Sequence, residues 1–407
     1  MNTSVKRALV SDCGGLIRDL GVTIPSGFLM ANRGDINDCP RSLIEPISKL
    51  LSALPDSIHA HVFVDHDAFD CARLWLDRLS ADCTVSLRPL GPDDAAIDSP
   101  WIQDRILVRT CQSQDLEWTE ILGPDGDHLA QAVASLLDAD EIKSDLGLPG
   151  GNQLIGGGFR LVGYAETGRH TLGAQDTFGL AARWRVISAL DDRNVRLFGY
   201  RLDDVMQRPL HPADLAPASS IKAPFSLETA RPGARPRERV YQCGFHVDQF
   251  VSVTGLVIGD RPLLLVADPI APDAGSLPSG LMLKRQLDAC ARHLEDQSFA
   301  IERNPIPLVI APDSGKRLPR LYNNVLLENA VRPDRDAPLV FVPQFGDRED
   351  LRIFDDLNLA LWRRLGFGPV PVTGWSLLAS RNGALRCATK VFRRDPFRSG
   401  QHHTEVP

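Results

Sequence analysis

Cys243-Gly244-Phe245-His246-Val247-Asp248-Gln249-Phe250 runs straight into an apolar stretch, residues 250–258, and a second apolar stretch follows at 263–266. Both have the length and residue types of strands. Working outward, further strand-like runs lie at 60–64, 106–109, 159–164, 308–310 and 339–342. Helix-like patterns fall between them. Leu43, Ile47, Leu50, Leu51 and Leu54 form one stripe at helical period, with Pro46 tolerated in the first turn. Leu351, Phe354, Leu357, Leu361 and Leu365 form another, with Gly366 placed as the C-terminal cap. Weaker helical patterns cover 129–137 and 282–294. Strand and helix alternate along the whole chain, which predicts an α/β fold.

Composition narrows the function classes. The chain has 407 residues, 43% of them hydrophobic and 24% charged, so it can bury a large core and is neither disordered nor fibrous. Its net charge of -7 comes without long like-charge blocks, so neither nucleic acid nor a membrane surface is an expected partner. No run approaches the length of a membrane span, and the first ten residues hold too short an apolar core for a signal peptide. A cytoplasmic protein is the expectation. The eight cysteines are scattered with no CxxC, which reads as buried thiols rather than a zinc site. Residues 208–239 carry six prolines in an Ala/Ser/Arg-rich background and read as a surface insertion within a single domain spanning 1–407.

Four segments hold residues that could carry chemistry. If residues 243–250 open a strand, His246 and Asp248 share one face and make a proton-handling pair, although an ordinary exposed strand face would look the same. In Pro100-Trp101-Ile102-Gln103-Asp104-Arg105 a carboxylate sits at the entrance to an apolar strand, three residues after a Trp that could form a flat wall. A turn Asp and a packed Trp would read alike. Asn382-Gly383 lies between two apolar stretches and predicts a type I′ hairpin, which places Cys387 on the returning strand. A lone strand Cys is commonly a buried, inert one. Gly150-Gly151-Asn152, followed by Gly156-Gly157-Gly158, allows close backbone approach but is not a dinucleotide fingerprint, since its spacing is wrong and a strand follows.

Taken in chain order, these segments resemble the guanidino-group-modifying enzymes of the pentein superfamily, and most closely the catalytic domain of the peptidylarginine deiminases. Trp101-Ile102-Gln103-Asp104 is similar to that family's W-I-Q-D, and His246-Val247-Asp248-Gln249-Phe250 to its H-V-D-E-F. Gly383 to Thr389, with Arg393-Arg394 after it, resembles the closing G-x-x-H-C-x-T segment. Tyr322-Asn323-Asn324 and Val342-Pro343-Gln344-Phe345-Gly346 resemble segments of penteins such as agmatine deiminase, and Gly150-Gly151-Asn152 resembles the E-G-G-N/D segment. Two positions depart from the pattern: Arg386 stands where relatives commonly carry His, and Pro149 where they carry Glu. The missing carboxylate fits the peptidylarginine type, which manages with two Asp positions, better than free-arginine or agmatine deiminases.

The resemblance implies a pseudo-fivefold α/β propeller of ββαβ units with the site in a central channel. It implies that Asp104 and Asp248 hold a guanidinium by charge-assisted hydrogen bonds, with Trp101 against the substrate stem and Asn152 and Arg386 contributing to binding. Cys387 would be the nucleophile and His246 the acid and base. The implied activity is hydrolysis of an arginine-containing peptide or small guanidino substrate to a citrulline-type product and ammonia. An amidinotransferase using the same residues and a catalytically silent binding protein are the alternatives. The chemistry needs no cofactor and no metal.

Overall fold

A computed structural model describes residues 5–30, 43–92, 94, 96–114, 116–144, 150–163, 185–199, 246–270, 278–310 and 317–395. The expected insertion at 208–239 lies outside the described residues, as does Pro149. The architecture is mixed α/β. Its strands form five small sheets, none closed on itself among the described residues.

The first sheet joins β1 (Lys6–Leu9), β5 (Leu107–Gln112), β6 (Glu117–Gly123) and β7 (Asp140–Lys143), and the second joins β8 (Gln153–Ile155), β9 (Phe159–Gly163) and β10 (Asn194–Phe198). The third holds β11 (Val251–Ile258), β12 (Arg261–Ile270), β13 (Ala300–Ile310) and β14 (Arg317–Pro319). The fourth holds β15 (Leu326–Leu327), β16 (Leu339–Pro343) and β17 (Gly368–Val372). In the fifth, β18 (Lys390–Arg394) comes back from the far end of the sequence to pair with β2 (Ile17–Ile24), followed by β3 (His59–Val64) and β4 (Thr84–Pro89). Each sheet contains an antiparallel step followed by a parallel one.

Parallel neighbours need a crossover long enough to return the chain, and helices fill it. The helices Glu45–Ala53, His128–Leu137, Pro278–Asp296 and Glu349–Arg364 lie between the parallel strand pairs β2/β3, β6/β7, β12/β13 and β16/β17. Their apolar sides pack on the sheets. Ile47, Leu50 and Leu51 are buried in the first of these helices, and Pro46 sits in its opening turn. In the last, Leu351, Phe354 and Leu361 are buried as expected, and Gly366 closes the helix at φ 85°. Leu357 is 46% exposed instead, because the buried arc runs through Asn358 and Trp362. The seven strand-like runs of the sequence all fall within observed strands to within a residue or two.

Two local expectations are corrected. Asn382 and Gly383 do not form a hairpin: they follow a short helix, Ser376–Ala379, and Cys387 lies in a helical turn in which the amide of Ala388 donates to the carbonyl of Ala384 (3.1 Å). A type I′ turn needs positive φ at both central residues, and only Asn382 has it, at 64°. His246 and Asp248 do not share a strand face either. His246 is left-handed (φ 54°), Val247–Gln249 form a 3-10 turn, and the strand begins at Val251.

Sheets are also stitched by buried charge. Glu328, just after β15, is fully buried and pairs with Arg332 (2.5 Å) while accepting from the amide of Ile17 in β2 (2.7 Å). Arg332 bonds the carbonyl of Ile17 in turn (3.2 Å). Replacing Arg332 with Met strands a buried carboxylate, so it should destabilise the fold by about 3–5 kcal/mol in denaturant titration. Adding Glu328→Gln should recover a large part of that loss, and its failure to do so would remove the charge explanation.

Candidate active site

The site assembles where the turns before four strands meet. Trp101 precedes the 3-10 turn Ile102–Asp104, which leads into β5; the 3-10 turn Gly150–Asn152 leads into β8; and His246 with Val247–Gln249 leads into β11. The turn holding Cys387 precedes β18. Placing polar side chains on short turns ahead of buried strands fixes them by the register of each sheet.

Gly151 is the meeting point. Its amide donates to Asp104 Oδ1 (2.9 Å), and a Cβ there would stand 2.7 Å from His246 Nδ1, 3.0 Å from Asp104 Oδ1 and 3.3 Å from Asp248 Oδ1. Only a residue without a side chain admits all three groups. His246 Nδ1 faces Asp104 Oδ2 at 3.7 Å. Neighbouring Asn152 is fully buried. Trp101 packs its ring on Gly383, so close that a Cβ there would stand 2.5 Å from it.

Asp248 is fully buried. Its Oδ2 accepts from Arg386 (2.7 Å) and from the Cys387 thiol (3.6 Å), while its Oδ1 has no hydrogen-bond partner among the described residues. Burial pushes the Asp248 carboxyl up, with Asp104 acting the same way, against the pull of Arg386 and His246. Arg386 is buried as well. It bonds Asp12 Oδ1 (2.9 and 3.0 Å) and the carbonyl of Gln153 (3.0 Å) besides Asp248. With its amide oriented to suit its neighbours, Gln103 accepts from Arg386 (2.8 Å) and donates to the carbonyl of Thr389 (3.1 Å). The two carboxylates outweigh burial and hold the Arg386 guanidinium firmly cationic. Arg386 therefore acts on Asp248 and is already surrounded by protein acceptors.

Cys387 is 2% exposed and is cradled by Asn324. The Asn324 side chain donates to Cys387 Sγ (3.2 Å) and to the carbonyl of Asp248 (3.2 Å), and accepts from the Cys387 amide (3.1 Å). Two consecutive asparagines between apolar residues were the available signal. Burial raises the Cys387 thiol well above its ordinary range, and Asp248 and Asp104 push it further. The structure thus brings Cys387, Asp248 and Arg386 into direct contact, and Asp104, His246 and Asp248 around one glycine. Asp12, Gln103 and Asn324 join them.

Among the described residues, one group of His, Cys, Asp and Glu has ligand atoms close enough for a metal: Asp19, His59 and His61, within 4.8 Å of one another. It contains none of the residues above. The sequence matches no protein-family model and no curated protein.

A thiol held above its ordinary range ionises steadily as pH rises. Alkylation of Cys387 by iodoacetamide, followed by peptide mapping, should therefore accelerate about tenfold per pH unit from about pH 7 to about pH 9. A plateau below about pH 8 would mean that the carboxylates do not suppress the thiolate.

Proposed function

We propose that this chain is a Cys-dependent guanidino hydrolase, a deiminase that converts an arginine residue or an arginine derivative to a citrulline-type product and ammonia. The single observation that carries this reading is two carboxylates, Asp104 and Asp248, facing one glycine backbone beside His246, with the Cys387 thiol on the second carboxylate. A guanidinium is a planar, permanent cation with a fork of donors, so paired carboxylates are its natural receptor. Asp248 Oδ1, buried without a hydrogen-bond partner among the described residues, is an acceptor open to such a donor.

In the reaction, the Cys387 thiolate attacks the central guanidino carbon and forms a C–S bond. His246 gives a proton to one terminal nitrogen as its C–N bond breaks, and ammonia leaves. The thiouronium that remains is attacked by water, whose proton His246 takes. The C–S bond then breaks, the thiolate returns, and the carbon keeps the water oxygen as a ureido carbonyl, its second proton passing to solvent and, in the balance, to the ammonia as ammonium. No electrons are exchanged, and the only co-reactant is water.

The bound cation answers the problem of the suppressed thiolate. Two carboxylates oppose ionisation of Cys387 when the pocket lacks a cation, and a guanidinium between them reverses the local field. The fold belonging to this reading is a single pentein-like domain, a pseudo-fivefold propeller around a central site. Five sheets with the same antiparallel-then-parallel step support it, as do helices in the crossovers.

Ammonia release with mass analysis of the product should be measured on an arginyl peptide, N-acyl arginine, free arginine and agmatine. Turnover with a gain of about 1 Da in the product is expected on the peptide or acyl form, abolished by Cys387→Ala and lowered about 10²–10⁴-fold by His246→Ala. Product formed only with an added amine acceptor would make the protein an amidinotransferase. Turnover of none of the four, with or without the acceptor, would overturn the reading.

A further inference from the structure

Asn323 and Asn324 lie in the turn between β14 and β15, and their side chains serve different ends. Asn323 anchors the turn to the third sheet. Its side chain exchanges hydrogen bonds with that of Asn304 in β13 (2.9 and 3.0 Å) and donates to the carbonyl of Leu265 in β12 (3.2 Å). Ser252 in β11 donates to the Asn323 carbonyl (2.9 Å). Asn324 is fully buried and meets the nucleophile. Its carbonyl accepts from the amide of Arg386 (3.2 Å), which ties the anchored turn to the one holding Cys387.

The orientation of the Asn324 side-chain amide is set by groups with only one role. The Cys387 backbone N–H can only donate, so Oδ1 faces it (3.1 Å), and the Asp248 carbonyl can only accept, so Nδ2 faces it (3.2 Å). The second Nδ2 proton is then the one shared with Cys387 Sγ (3.2 Å). The amide of Ala384 is a further donor to the sulfur and works against the burial and the carboxylates that raise the thiol. The thiol itself donates to Asp248 Oδ2 (3.6 Å). On ionisation that contact becomes repulsive, while the two donors gain, because a hydrogen bond to an ion is about twice as strong as a neutral one. Both donors are uncharged. A cationic donor would also stabilise the thiolate, but it would repel a guanidinium in the same pocket.

We propose that Asn324, helped by the Ala384 amide, is the group that holds the sulfur of Cys387 as a thiolate, and thereby a catalytic residue of the proposed reaction. The catalytic part rests on the guanidino-hydrolase reading. In that reaction Asn324 holds the sulfur before attack and again when the C–S bond breaks, and it keeps both of its own protons throughout. Its hold on the thiolate does not rest on that reading.

Alkylation of Cys387 by iodoacetamide, a neutral reagent, tests it, with peptide mapping from about pH 7 to about pH 9. Asn324→Asp keeps an acceptor for the Cys387 amide while removing the donor to sulfur and adding a negative charge. Asn324→Ala removes the donor alone, and it decides the matter if the added carboxylate prevents folding. In either variant labelling should be at least about threefold slower at each pH. A merely structural role has the opposite sign, because Cys387 is 2% exposed and a loosened turn admits the reagent faster. Labelling as fast as in the wild type, or faster, would overturn the assignment. Where the wild type turns over an arginine compound, kcat should fall about 10–10²-fold in these variants with KM little changed, since Asn324 touches the sulfur. A loss carried by KM would overturn the catalytic role. Turnover of none by the wild type would remove the hydrolase reading alone, and labelling would still decide whether Asn324 holds the thiolate.

Discussion

One guanidinium holds the centre of this protein together. Arg386 reaches from the last part of the chain to Asp12 near its start and to Asp248 in its middle, and it also takes the carbonyl of Gln153. All of these groups are buried or nearly so, and a buried ion is tolerable only when its partners are close and its hydrogen bonds complete. That requirement ties the entrances of β8 and β18 and the turn before β11 to one point. The sheets can then differ in length and strand number without loosening the site.

The same contact sets the chemistry. Arg386 occupies one oxygen of Asp248 and leaves the other turned toward Gly151, beside Asp104 and His246. Asn324 fixes the Cys387 thiol against that carboxylate from the other side. Burial and negative charge together hold the Cys387 thiol in its protonated form. In the proposed reaction, reactivity and recognition become one event, because the cation that binds is the group that generates the thiolate.

Much of the fold was readable because its signals are local. Apolar runs such as 250–258 and 339–342 have nowhere to go but a buried strand, and the stripe of Leu351, Phe354 and Leu361 needs only helical period. Leu357 misled because neighbouring Asn358 turns inward to bond the carbonyl of Pro305 (2.9 Å) and the side chain of Asn304 (3.0 Å), which no periodicity reveals. Asn382-Gly383 misled for a tertiary reason: Gly383 is there to admit the Trp101 ring, not to turn a hairpin. In the site, Cys387, His246, Asp104 and Asp248 were legible as residue types in order. Asp12 was not, since Ser11-Asp12-Cys13-Gly14 looks like any turn, and its partner lies 374 positions away.

The central claim is that this pocket selects a planar cation and uses it to awaken Cys387. It is tested most directly by comparing two reagents of nearly the same shape, 2-chloroacetamidine, which is cationic, and 2-chloroacetamide, which is neutral, by peptide mapping at neutral pH. A receptor built from Asp104 and Asp248 predicts that the amidine labels Cys387 at least about tenfold faster than the amide, and that Asp248→Asn removes the preference. Equal labelling of Cys387 by both reagents, or faster labelling by the neutral one, would contradict it.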